Sequence, residues 1–158
     1  MTSNHPTRSR GHALRTGLAM LLLQTAACSA WSIQSGQTAQ GHAFESGGVS
    51  REETVALRQR RGAYSLWVVT AALRSGAYLA DVQVTIRDEQ GQTVFDAALD
   101  GPWLFINLPR GRYSVQASYL GRTQERATTI HRGDHHQLFF RFDTGDTVGE
   151  DKYNGARP

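Results

Sequence analysis

A single cysteine, Cys28, occurs among 158 residues, so an intrachain disulfide is excluded. Small exported domains often lean on such bridges when the core is thin. Here a domain of about 100 residues, large enough for one β-fold, must hold by burial alone. A long apolar run is missing too. Leu18-Ala19-Met20-Leu21-Leu22-Leu23 fades into Gln24 and Thr25, short of the about 20 residues that a spanning helix needs. The body of the chain also has no excess charge of one sign. The net +3 comes from Arg8, Arg10 and Arg15, and from Glu45 onward 14 basic residues face 14 acidic ones. A neutral body exerts no overall pull on phosphate, so nucleic acid is not expected as a partner.

Catalytic patterns are likewise scarce. There is no Gly-x-Ser-x-Gly, and the lone cysteine lies near the N-terminus. Nucleophile, base and orienting group are therefore not assembled, and no enzyme activity is expected. His131, Asp134, His135 and His136 form the one metal-like cluster. On a strand His135 and His136 face opposite ways, whereas zinc needs three or four converging ligands, so these residues read as a solvated turn. Asp81, Asp88, Asp96 and Asp100 sit near turns and strand ends, and Arg110 and Arg112 flank Gly111 at a loop tip. Both groups read as solvated, with no metal and no cofactor.

The N-terminus carries an address. A basic flank, an apolar run and then Ala26, Ala27, Cys28, Ser29 and Ala30 give the order of an export signal over residues 1–30. Cleavage fits after Ala27, after Ala30 or near Ala43. Thr25-Ala26-Ala27-Cys28 resembles a bacterial lipobox, which marks Cys28 as a lipidation candidate; membrane contact is expected only in that lipidated form. The implied location is outside the cytoplasm, in the periplasm. Residues 31–49, rich in Ser, Gly, Gln and Ala, read as a flexible tether.

Ser50-Arg51-Glu52-Glu53 matches a capping box and predicts a short helix within 50–62, with Arg58, Arg60 and Arg61 at its cation-favouring end. Its apolar face is poor, since Val55 and Leu57 are two apart. From Tyr64 the chain turns strand-like. Val82, Val84 and Ile86 alternate with polar residues, as do Tyr113, Val115, Ala117 and Tyr119. Leu138, Phe140 and Phe142 share one side of a last strand and leave Phe139 on the other. Turn signals at Asp88–Gly91, Asp100–Pro102, Pro109–Gly111, Leu120-Gly121 and Arg132–Asp134 separate seven strands between 63 and 143. That spacing predicts an all-β, seven-stranded antiparallel sandwich. Residues 144–158 read as a loose tail.

Two runs carry a family resemblance. Gly76 to Ile86 leads into a Val-x-Val strand and the Gly91 turn. Trp103-Leu104-Phe105 and Leu108-Pro109-Arg110-Gly111-Arg112-Tyr113-Ser114-Val115 then supply an aromatic-x-aromatic strand and a Leu-Pro-x-Gly-x-Tyr motif. This resembles the carboxypeptidase regulatory-like domains, with their transthyretin-like (prealbumin-like) β-sandwich, over about residues 64–142. The resemblance implies a structural or interaction module without the catalytic residues of the enzymes such domains accompany. Transthyretin-like hydrolases acting on a urate-derived ring end in Tyr-Arg-Gly-Ser, which Tyr153 to Pro158 does not match. In the resemblance's register Trp103 and Phe105 point into the sandwich with Tyr113 and Val115. Leu104 and Ile106 then point outward and, with Phe139, form an interaction patch, covered by Ser50–Arg61, by the tether or by a partner.

These features favour an exported, non-catalytic module that binds or scaffolds an envelope protein or glycan. The alternative is a carbohydrate-binding module with Trp31, Trp67 or Trp103 as an exposed stacking platform. A small hydrolase built on His131 ranks third.

Overall fold

The computed structural model describes Met1 and residues 33–145; most of the expected export signal, with the Cys28 lipidation candidate, Trp31 and the chain from 146 onward, lies outside the described residues. Alternating apolar residues in the middle of the chain produce seven strands. They are β3 (Leu66–Ala72), β4 (Gln83–Asp88), β5 (Thr93–Ala98), β6 (Trp103–Ile106), β7 (Gly111–Tyr119), β8 (Arg122–Ile130) and β9 (His136–Phe142). Two more precede them, β1 (Gln34–Gln37) and β2 (Ala43–Gly47), so the described residues hold nine strands rather than seven. One sheet has the order β1-β2-β6-β3-β9 and the other β5-β4-β7-β8.

The two added strands correct the expectation of a flexible tether over 31–49. Small residues here serve close approach rather than looseness. A Cβ on Gly36 would stand 3.1 Å from the Phe44 ring, and one on Gly101 would stand 2.3 Å from the Gly47 carbonyl oxygen. Phe44 anchors the hairpin by packing edge-on against Phe95 at 5.2 Å, while β2 pairs with β6 from Phe44↔Ile106 to Gly47↔Trp103.

The sandwich is not purely antiparallel. β9 runs parallel to β3, in register from Leu66↔His136 to Ala72↔Phe142. Parallel neighbours cannot be joined by a hairpin, and here the connection runs through all four strands of the second sheet, crossing back once for β6, before β9. The Leu-Pro-x-Gly-x-Tyr run links β6 in one sheet to β7 in the other, and the Tyr113 hydroxyl donates to the Pro109 carbonyl at 3.0 Å.

The largest correction concerns β6. Leu104 and Ile106 have no exposed surface and belong to the core between the sheets, with Val84, Ile86, Tyr113, Val115 and Phe140. Trp103 and Phe105 lie on the opposite face, against Leu57 and Val69. The expected inward and outward pairs are thus exchanged. Four consecutive apolar residues contain no polar position to mark the phase, and a one-residue slip reverses every side chain. Both faces of β6 are nonetheless dry.

The cover on the outer face is helix α1 (Arg51–Arg60), followed by a 3₁₀ turn at Arg61–Ala63. The Ser50 hydroxyl accepts from the Glu53 N–H at 3.1 Å, the N-cap bond that the sequence encodes. Glu53 Oε2 accepts in turn from the N–H groups of Gly48 (3.0 Å) and Val49 (3.1 Å). Leu57 is the helix's one fully buried apolar side chain, while Val55 is exposed. The helix is therefore held by one apolar peg and by polar clasps on its approach.

Two substitutions test this packing in chemical denaturation. Leu104→Ala is expected to lower the unfolding free energy by about 2–5 kcal/mol, the range for a buried leucine; an unchanged midpoint would return Leu104 to the surface. Gly101→Ala is expected to destabilise as well, because its methyl group meets the Gly47 backbone.

Candidate functional site

Cross-strand register builds a grid on the outer face of the five-stranded sheet. One row reads Glu45, Phe105, Trp67, Gln137 across β2, β6, β3 and β9; the next reads Gly47, Trp103, Val69, Phe139. Helix α1 covers the β2–β6 half. There Leu57 packs on Val69, Trp103 and Phe105, and Arg60 pairs with buried Glu45 at 2.9 Å. The β9 half stays open as a cleft of 380 Å³ between the helix end and the sheet.

Aromatic rings make the floor and walls of this cleft. Phe105 meets Trp67 edge-on at 6.0 Å and Trp103 at 6.0 Å, and Tyr78 meets Trp103 edge-on at 6.0 Å. Tyr78 reaches this place because its backbone bridges to Ala71. Two cations stand over the rings: Arg58 lies 5.2 Å from the Trp103 ring centre and Arg61 lies 5.3 Å from that of Trp67. Such placement is favourable because the ring face is electron-rich. The Trp67 indole N–H donates to the Arg61 carbonyl at 3.1 Å, which ties the end of the helix segment to the sheet. Among the described residues no serine, cysteine, histidine or carboxylate lines the cleft.

Of the expected patch, only Phe139 is at the surface, 43% exposed beside the cleft, with Arg141 5.9 Å from its ring centre. Leu104 and Ile106 belong to the core on the other side of the sheet. A tryptophan platform is not found among the described residues. Trp103 is buried, and Trp67 is half-buried, stacked on the His135 ring at 5.8 Å and capped by Arg61. Arg58, Arg61, Tyr78 and Gln137 complete the cleft; the sequence marked the two arginines only as helix-end cations and the other two not as site residues. The one available signal was the i, i+3 spacing of Arg58 and Arg61 near the helix end, where helix-dipole stabilisation already accounts for cations.

The His131 turn lies elsewhere. His131 is exposed, and its ring has no hydrogen-bond partner among the described residues. His135 Nδ1 meets the Tyr64 carbonyl at 2.8 Å, so that nitrogen carries the proton. His136 Nε2 lies 3.3 Å from Asp134 Oδ2. Among the described residues no three His, Cys, Asp or Glu side chains converge as metal ligands. Asp88 Oδ1 accepts from the N–H groups of Gln90 (3.0 Å) and Gln92 (2.8 Å), closing its turn. Asp96 Oδ1 accepts from Gln83 Nε2 at 2.7 Å and Thr85 Oγ1 at 2.9 Å across neighbouring strands. These carboxylates have structural partners.

Tyr64 stacks on Phe105 at 5.9 Å beneath the 3₁₀ turn. Burial, and then the negative charge of Glu45, raise its phenol above the ordinary tyrosine value of 10.0, while Arg60 pulls the other way. Burial also raises Tyr113, with Asp88 and Glu89 adding to it. A raised value favours the neutral phenol in the folded state. The corresponding stability is fully present below the unfolded value and is lost as pH rises through the folded one. Thermal melts are therefore expected to fall above pH ~10, and Tyr64→Phe is expected to flatten part of that fall. An equal alkaline loss in the variant would remove Tyr64 from the account. No family model and no curated protein matches the chain.

Proposed function

We propose that this chain is an exported, non-catalytic binding module of the cell envelope, similar in build to the carboxypeptidase regulatory-like, transthyretin-like domains. The open half of the outer sheet face carries this reading. It offers ring faces and guanidinium donors in one cleft, and among the described residues its lining holds no serine, cysteine, histidine or carboxylate to act beside the Tyr78 phenol. Strands β3–β9, divided between two packed sheets, support the likeness, as does the Leu-Pro-x-Gly-x-Tyr link between the sheets. Export rests on the succession of basic, apolar and small residues in the sequence of residues 1–30. The larger core lies on the other side of the sheet, while Val69, Trp103 and Phe105 of the smaller apolar cluster form the cleft floor.

The test uses the protein in its native envelope. A photoreactive residue replaces Gln137, and another replaces Thr123 on the exposed face of β8 as a control. After irradiation the N-terminus and the adducts are identified by mass spectrometry. The expected result is a processed N-terminus at residue 28 or 31, upstream of β1, and a discrete adduct enriched at 137 over 123. An unprocessed chain in the cytoplasm, or equal adducts at both positions, would overturn the proposal.

A further inference from the structure

We infer that the cleft takes an acidic sugar residue: a pyranose ring bearing a carboxylate. The inference rests on the reading of this face as a binding site and adds the ligand class. Its first support is charge. Arg58 and Arg61, three residues apart, lie on the same side of the helix end. Among the described residues neither has a carboxylate partner, whereas Arg60 between them is engaged by Glu45 at 2.9 Å. Two guanidinium groups held against ring faces, with no acid among the described residues of the lining, leave donors for an incoming anion. A planar guanidinium matches a carboxylate through paired N–H···O bonds.

Shape is the second support. Tyr78 and Phe139 are the exposed rings of the cleft, 54% and 43% accessible. They present flat apolar surface to the C–H face of a sugar, and the exposed Gln137 amide can donate to and accept from hydroxyl groups. The 380 Å³ volume lies at the small-ligand end of the usual range, about 300–1,000 Å³. A peptide strand would instead need free backbone donors and acceptors at a sheet edge. The cleft floor centres on β3, whose backbone is paired on both sides, with β6 and with β9; the edge strand β9 borders the cleft, so an added peptide strand would lie beside the arginines and rings rather than over them.

The full-length chain is titrated with glucuronate and galacturonate, and with glucose and galactose as neutral counterparts. Binding is followed through the indole N–H resonances of Trp67 and Trp103. At least one acid is expected to saturate at millimolar concentration, with its neutral counterpart at least tenfold weaker. Arg58→Gln with Arg61→Gln is expected to weaken the acid at least tenfold. Tyr78→Ala, an exposed site off the helix, should weaken it severalfold. Arg110→Gln with Arg112→Gln, outside the cleft, should leave it unchanged. Equal binding of acid and neutral sugar, no response to either acid, or native affinity in both cleft variants would overturn the inference. A discrete adduct at position 137 without uronate binding would sink the ligand class while keeping the binding module; failure of both would sink both.

Discussion

Strand β6 loses water on both faces, and this requirement organises the molecule. Leu104 and Ile106 dry one face by meeting the second sheet, and Trp103 and Phe105 need a separate cover on the other. Full burial of each such side chain is worth about 1.5–3 kcal/mol, enough to fix where a short helix must lie. Leu57 alone supplies the helix's fully buried apolar contact. The helix is too short to cover the whole sheet face, and the cleft is what it leaves uncovered.

A helix with one apolar peg needs other constraints, and the chain supplies them at both ends. At the start, Glu53 gathers the N–H groups of Gly48 and Val49 while Ser50 caps the first turn. At the end, Arg60 reaches buried Glu45, and the Arg61 carbonyl receives the Trp67 indole. Polar bonds of this kind contribute modestly to stability but strongly to placement, because a buried partner left alone is costly. That placement sets Arg58 and Arg61 over their rings.

Much of the fold was legible in the residues. Alternation in β4, β7 and β9, the Asp88–Gly91 turn and the Ser50 cap are local signals, and local signals suffice for them. Phe139 was readable as an outward ring by the same parity. The phase of β6 was not, since Trp-Leu-Phe-Ile offers no polar marker and only the partners on each side decide it. Strands β1 and β2 were hidden because glycine and serine serve equally for slack chain and for tight backbone approach; Gly101 against Gly47 shows the second use. The cleft was hidden for another reason. Arg58, Trp67, Tyr78, Trp103 and Gln137 come from separate segments, and only the cross-strand register, the helix laid over it and the Tyr78–Ala71 bridge bring them together.

The parallel pairing of β3 with β9 has a kinetic consequence. β3 is the first strand of the seven between Leu66 and Phe142, and its permanent neighbour is the last. Pairings between distant parts of a chain form slowly, because the intervening loop must be closed before any contact rewards it. Until His136 to Phe142 has been synthesised and delivered, one side of β3 has nothing to bond. A nascent or truncated polypeptide therefore offers a bare hydrophobic edge to its neighbours, and the final stretch of sequence acts as the latch that ends that vulnerable interval.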